Sequence, residues 1–183
     1  LPAEGSLTEK AYSHLEWLRT WGFSGGLVGT LHKIGAPLVR WLLDYASRVE
    51  QAAVLIIGTV TVQNYINRLA GGEPIWHLGD TANNKEPQLG KLNLITPELL
   101  EKTPSIAKAN WDIVCLINAD TFLTAKSTKL FTILHTMPKS LFVGLFAGTT
   151  FKEREAARDA CASLLGILPA SATHLIWRYL LRN

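Results

Sequence analysis

Residues Phe23–Leu42 (FSGGLVGTLHKIGAPLVRWL) have the outline of a phosphate-binding loop. In such loops the backbone N–H groups surround the phosphates, a lysine reaches the outer phosphates, and a following hydroxyl binds Mg²⁺. When Gly35 is taken as the glycine before the lysine, the lysine and hydroxyl positions hold Ala36 and Pro37. Ala36 has no charge, and Pro37 has neither a hydroxyl nor a backbone N–H. The sequence therefore predicts a degenerate nucleotide loop at Gly35, Ala36 and Pro37, with a helix opening at Pro37.

Other candidates for chemistry are few. Lys33 is an alternative source of the missing charge, but it falls inside the predicted loop, which favours an ordinary solvated lysine. The five histidines are scattered without a pair at metal-ligand spacing, so we expect no metal site. Cys115 lies in an apolar run, which favours a buried structural thiol over a nucleophile. We expect no bound cofactor.

The composition predicts a folded domain. The chain has 183 residues, of which 48% are hydrophobic and 18% charged, enough for one domain with a substantial core. Its net charge of +3 permits contact with nucleic acid. The sequence does not have the dense basic patches that are typical of nucleic-acid-binding proteins. The chain has only two cysteines, which is typical of a protein in a reducing compartment. No segment has the roughly 18 consecutive apolar residues of a membrane span, and no signal peptide is visible.

Apolar runs alternate with amphipathic segments along the chain. The runs at Ala52–Val62, Trp111–Asn118 and Ser140–Phe146 are typical of strands covered on both faces, and shorter strands are predicted at Gly26–Gly29, Glu73–Leu78 and Leu92–Thr96. Helices are predicted at Ser6–Trp21, Pro37–Val49, Val62–Leu69, Ser127–His135 and Glu153–Leu165, with another starting near Pro97. This alternation predicts an α/β fold in which helices cover both faces of a mostly parallel sheet.

The order of these segments resembles the first RecA-like lobe of the Swi/Snf family, helicase-like ATPases of superfamily 2 that translocate on double-stranded DNA. The resemblance runs from about Leu7 to Leu168 and implies a three-layer RecA-like domain of the P-loop NTPase type. The matching pieces are Trp17-Leu18, Gly25-Gly26-Leu27-Val28, the motif with Thr61, Asn64 and Tyr65, Leu94–Leu100, Trp111-Asp112-Ile113-Val114 and Phe146–Thr150 (FAGTT).

The resemblance also locates the acidic box, in which an aspartate and a glutamate position Mg²⁺ and the attacking water. Its four positions read Ile117-Asn118-Ala119-Asp120. Neither carboxylate is in its catalytic place, and Asp120 falls where the family has histidine, which favours a helix-capping role. Together with Ala36 and Pro37, these replacements imply a catalytically inactive lobe, a pseudo-ATPase.

The positions that match the DNA-facing motifs of the family depart less from its pattern than the nucleotide-binding positions do. Thr61, Asn64, Thr96 and Thr149 follow predicted strands, at the edge where such folds bind ligands, and their hydroxyls and amide suit contact with phosphates. The alternative is that they only cap helices. We therefore favour a module that binds double-stranded DNA through its backbone or docks on protein subunits, within a larger assembly of the cytoplasm, nucleoid or nucleus. The alternative function is an ATP-binding or ATP-hydrolysing fragment of a DNA translocase.

We expect a single lobe over residues 1–183. It comprises an N-terminal helix (1–22), an α/β core (23–168) and a C-terminal amphipathic segment (169–183). Trp177 in the last segment has two interpretations: it packs on the domain, or it presents an aromatic and basic face to a partner helix.

Overall fold

The computed structural model describes residues 7–21, 25–28, 31–79, 88–122, 127–137, 139–146 and 176–178. Several predictions concern residues outside these ranges, namely the helix at Glu153–Leu165, Thr149 with the end of the Phe146–Thr150 motif, and most of the loop before Leu92.

Seven strands form one sheet: β1 (Gly25–Val28), β2 (Val54–Ile57), β3 (Trp76–His77), β4 (Leu92–Ile95), β5 (Trp111–Ile117), β6 (Lys139–Phe146) and β7 (Ile176–Arg178). Their order is β3-β4-β2-β5-β6-β1-β7, and every pairing is parallel. The long apolar runs do lie at the centre of the sheet, because a strand covered on both faces must be apolar throughout. The predicted parallel α/β fold is confirmed.

In the described part of the chain, six α-helices flank the sheet: α1 (Leu7–Trp21), α2 (Leu31–Arg48), α3 (Val60–Ala70), α4 (Pro97–Lys102), α5 (Pro104–Ala107) and α6 (Thr128–Thr136). Helices α1, α2 and α3 share one apolar core with the sheet, and α4, α5 and α6 share another. Strand β2 joins the two cores, since Val54 and Ile56 point into the first and Leu55 and Ile57 into the second. Within the described residues, no helix combines the length and hydrophobicity needed to cross a bilayer.

Helix α2 begins at Leu31, so the prediction that it opens at Pro37 is wrong. Ile34, Leu38 and Trp41 are fully buried at helical spacing, and they continue the apolar face of α2 across the proline. Pro37 removes one helical hydrogen bond, and burial of this face outweighs that cost. The proline is therefore an internal residue of the helix and not its start.

Residues from the predicted C-terminal segment belong to the sheet. Strand β7 pairs with β1, with Gly26 opposite Ile176, Leu27 opposite Trp177 and Val28 opposite Arg178. The side chain of Trp177 lies outside the described part of the structure, so both interpretations of it stay predictions. Strand β1 lies between β6 and β7 and is paired on both sides.

Candidate functional site

The carboxyl ends of the parallel strands all face one edge of the sheet, where α/β folds bind ligands. Strand β2 leads into α3 through Gly58 and Thr59, and β4 leads into α4 through Thr96. Strand β5 ends at Ile117 and is followed by Asn118. The edge therefore brings together three of the segments in which the sequence analysis placed functional residues.

The four acidic-box positions follow the central strand β5. Ile117 is completely buried in the apolar core, and Ala119 is buried in the core on the other face of the sheet. Asn118 adopts the left-handed conformation (φ 52°, ψ 47°), and its carbonyl accepts hydrogen bonds from the Thr121 N–H (2.9 Å) and Oγ1 (2.6 Å). Asp120 lies in the 3₁₀ turn Ala119–Thr121, and its side chain is outside the described part of the structure.

Asn118 departs from ordinary backbone geometry. It is the one non-glycine residue with a positive φ among the described residues, and asparagine tolerates this conformation better than most side chains. Its Oδ1 is buried and has no hydrogen-bond partner within the described chain. The amide thus stands at the carboxyl end of β5 without the negative charge that would hold Mg²⁺.

The predicted nucleotide-loop positions lie inside α2. A Cβ atom on Gly35 would sit 3.1 Å from Cδ1 of Leu31, 3.1 Å from Cδ1 of Leu69 and 3.2 Å from Cε1 of Tyr65. Gly35 therefore allows α2 to pack closely against α3, which is a different role from cradling a phosphate. Ala36 is exposed and Pro37 is buried in the helix.

Two of the predicted DNA-facing residues share one surface of α3. Thr61 and Asn64 are exposed and lie one helical turn apart, and Arg68 is exposed on the next turn of the same side. The Arg68 guanidinium lies 5.4 Å from the centre of the Tyr65 ring. We call Thr61, Asn64 and Arg68 the α3 face. Arg68 was missed in the sequence, although its spacing from Asn64 could have indicated it.

The other two predicted DNA-facing residues are not part of the α3 face. The Thr96 hydroxyl caps α4 by accepting a hydrogen bond from the Leu99 N–H (3.2 Å), as the helix-capping alternative predicts. Thr149 lies outside the described residues. Next to the α3 face, Asn67 Nδ2 and His77 Nε2 are 2.7 Å apart. No local pattern could have indicated this pair, because His77 comes from strand β3.

A buried amide fixes the turn between β2 and α3. Gln63 is 8% exposed, and its Nε2 donates to the Gly58 carbonyl over 3.1 Å, while the Gly58 N–H donates to the Ile95 carbonyl over 3.1 Å. A Cβ at position 58 would lie 2.9 Å from Cγ1 of Val62, so a glycine is needed there. These bonds hold the start of the α3 face in place.

Comparison with known proteins identifies solved structures with a similar fold. No family model matches the chain, and no curated protein matches it in sequence. The structure of the Sulfolobus solfataricus SWI2/SNF2 ATPase core in complex with double-stranded DNA matches with a TM-score of 0.79 at 13% identity, over 98% of this chain and 45% of that one. The S. solfataricus SWI2/SNF2 ATPase core domain matches with a TM-score of 0.75 at 14% identity, over 96% and 43%.

The chain has the RecA-like α/β fold of one part of the SWI2/SNF2 ATPase core. The RecA-like architecture expected from the sequence is thereby confirmed, and this SWI2/SNF2-like chain spans less than half the length of the structures it matches. In the described residues it has no group of three or more histidine, cysteine, aspartate or glutamate side chains placed to hold a metal ion.

Ionisable groups in the SWI2/SNF2-like chain are perturbed away from the carboxyl edge. Burial raises the pKa of the Cys115 thiol to about 12, so it stays protonated and is a poor nucleophile. Burial, with a hydrogen bond to Asp112, raises the pKa of Tyr45 to about 12. Between α1 and α2, hydrogen bonds from Arg19, Arg48 and Trp41 lower the pKa of Glu16 to about 2. Of these three shifts, only that of Glu16 adds stability at neutral pH, because its folded-state pKa is lowered. None of the three groups is an activated nucleophile or base at the carboxyl edge.

Proposed function

We propose that this chain is the first RecA-like lobe of a SWI2/SNF2-type protein that has lost ATP hydrolysis and contacts the backbone of double-stranded DNA. The matched structures are more than twice as long, which supports a lobe that works as part of a larger assembly. The proposed place of that assembly is the cytoplasm, nucleoid or nucleus. The matched S. solfataricus core in complex with double-stranded DNA supports the choice of ligand.

The observation that carries the loss of hydrolysis is the position of Gly35, Ala36 and Pro37 inside α2, which begins at Leu31. A phosphate loop needs a glycine-rich backbone whose successive N–H groups surround the phosphates, followed by a lysine and a hydroxyl. Gly35 is instead packed against Leu69 and Tyr65 of α3. Ala36 and Pro37 supply neither a charge nor a hydroxyl.

The end of β5 supports the same conclusion. Phosphoryl transfer depends on Mg²⁺ and on a correctly placed water, which carboxylates normally position. Here Ile117 is buried in the core and Asn118 carries an uncharged amide. Neither side chain can neutralise a metal ion or accept a proton from water.

Contact with DNA is supported by the α3 face. A hydroxyl, an amide and a guanidinium are exposed on successive turns, and such groups bind phosphates without reading the bases. The Gln63–Gly58 hydrogen bond holds the first turn in place, so little ordering is needed on binding.

Nucleotide binding is tested by thermal unfolding with and without Mg²⁺ and ATP, together with phosphate release. We expect no shift in Tm and no release, because a ligand raises Tm only when it binds the folded state. Lys33→Ala is the control and should behave like the parent chain. A large Tm shift with turnover that disappears in Lys33→Ala would instead identify an ATP-hydrolysing fragment of a translocase.

DNA contact is tested by fluorescence anisotropy with a labelled duplex at several salt concentrations. We expect affinity to fall with salt, because phosphate contacts by cationic side chains release counterions. Arg68→Gln should reduce the slope of log affinity against log salt by about 1. Lys102→Gln, on the opposite face of the sheet, is the matched control. Salt-insensitive association, or none, would contradict DNA contact and favour docking on a protein subunit.

A further inference from the structure

We propose that His77 extends the α3 face, so that the chain contacts one further phosphate of duplex DNA when this histidine is protonated. The inference rests on the proposed DNA contact and adds a regulation to it, since the strength of the contact then depends on pH. Histidine is the side chain that ordinarily changes its charge between about pH 5 and 8. Protonated His77 would be a second cation beside Arg68.

The position of His77 continues the row of exposed polar side chains from α3 onto the edge strand β3. Its Nε2 lies 2.7 Å from Nδ2 of Asn67. Asn67 follows Asn64 by one helical turn and directly precedes Arg68. His77 is itself exposed, so a ligand on the α3 face can reach the imidazole ring as well.

The imidazole ring is held in place in both of its charge states. His77 is paired with Leu94 in the sheet, and the next residue, Leu78, donates its N–H to the Leu94 carbonyl over 2.9 Å. The Asn67 amide can offer Nδ2 to the neutral ring or, after turning, Oδ1 to the protonated ring. Nδ1 has no hydrogen-bond partner among the described residues, and it donates when the ring is protonated. A phosphate oxygen is a suitable acceptor for that hydrogen bond.

The charges around His77 favour an anion. Residues 51–72, which include β2 and α3, contain no aspartate or glutamate, and Arg68 is their one charged residue. Strands β3 and β4 add no acidic side chain. Of the acidic residues on either side of His77 in the chain, Glu73 lines a groove of about 490 Å³ at the amino edge of the sheet, and Asp80 lies outside the described residues. A phosphate group therefore complements Arg68 and protonated His77 together.

The inference is tested by fluorescence anisotropy with the labelled duplex, over several salt concentrations, at about pH 5.5 and about pH 8. We expect the parent chain to bind about two- to fivefold more tightly at the lower pH, as for an exposed ion pair. The slope of log affinity against log salt should also be steeper there by about 0.9, because one more phosphate releases its counterion. Both differences should disappear in His77→Gln.

Two variants serve as controls. His32 is an exposed histidine on α2, so His32→Gln should keep both differences between the two pH values. Arg68→Gln should lower the salt slope equally at the two pH values, because arginine keeps its charge throughout. Thermal unfolding of each variant checks its folding, which replacement of an exposed side chain should leave intact.

The two possible failures are distinguishable. A parent chain that binds the duplex with the same salt slope at both pH values would overturn the inference, and so would a His77→Gln variant that keeps the steeper slope at low pH. Either result would leave the proposed DNA contact standing. A chain that binds no duplex at either pH would contradict the DNA contact itself, and the role of His77 with it.

Discussion

At the scale of single residues, Glu16 links α1 to α2. Its carboxylate accepts hydrogen bonds from Arg19 Nη2 (2.9 Å), Trp41 Nε1 (2.8 Å) and Arg48 Nη2 (2.9 Å), and its side chain is 23% exposed. The bond from Arg19 is the largest cause of its low pKa, about 2 against an ordinary 4.5. The folded state therefore binds the Glu16 proton more weakly than the unfolded chain does.

Glu16→Gln should lower the free energy of unfolding at neutral pH by on the order of 1–2 kcal/mol, allowing for solvent screening. A lowered folded-state pKa adds stability above pH 4.5, and this is lost as the pH falls from 4.5 towards 2. Urea unfolding at a series of pH values should show the difference between parent and variant shrinking over that window. A difference that stays constant with pH would contradict the assignment.

Gly35→Leu should destabilise the chain by about 1–3 kcal/mol, because the added atoms have no room between α2 and α3. Ala36→Leu is the matched control, since Ala36 is exposed on the same helix and should change stability by less than about 0.5 kcal/mol. Urea denaturation measures both. Equal effects at the two positions would show that Gly35 does not mediate the packing of the helices.

The residues of the candidate site were predictable in part. The sequence indicated which side chains stand at the carboxyl ends of strands, because apolar runs end where the strands end. It could not indicate the left-handed backbone of Asn118, which depends on the turn that follows β5. It also could not indicate the packing of Gly35, because the close approach of Tyr65 and Leu69 depends on tertiary structure.

At the scale of elements, Gly90 and Trp76 couple the start of β4 to the edge strand β3. Gly90→Ala should destabilise the chain by about 1–3 kcal/mol, because the new methyl group would overlap the indole ring. In a Trp76→Ala background the same change should cost little, since the ring is gone. A double-mutant cycle measured by urea unfolding tests this coupling. Additive effects would show that the two residues are independent.

Most elements that begin with a clear local signal were predicted well. Strand β5 and helix α4 begin where the sequence indicated, the former from its β-branched run and the latter from Pro97. The start of α2 was wrong because the proline signal was given more weight than the apolar spacing from Leu31 to Trp41. Helix α5 and strand β7 have four and three residues, too few for a periodic pattern to show.

At the scale of the whole molecule, β7 should stabilise the sheet. Deleting residues 171–183 would remove β7 and leave β1 paired on one side only. We expect the free energy of unfolding to fall by on the order of 2 kcal/mol, since each lost backbone hydrogen bond contributes about 1 kcal/mol. Deleting residues 179–183 keeps β7 and serves as the control. Equal stability of the two truncated chains would mean that β7 adds nothing to the sheet.

The overall architecture followed from the order of the segments, since alternating strands and helices leave few arrangements for a parallel sheet. The position of β1 did not follow, because pairing between the two ends of a chain leaves no trace in local periodicity. The carboxyl edge, where the strands bring the candidate residues together, could be predicted for the same reason as the fold. The groove at the opposite edge, whose lining includes Asp44, Trp76 and Leu92, could not, because α2, β3 and β4 are distant in sequence.

The place of β1 in the sheet also constrains how the protein is made. Both neighbours of β1 come from much later in the chain, and β6 begins at Lys139. A ribosome adds about 5–20 residues per second, so the first strand emerges several seconds before any partner for it exists. Until then the N–H and C=O groups of β1 are open to other chains, so this topology leaves the strand exposed to misassociation during synthesis.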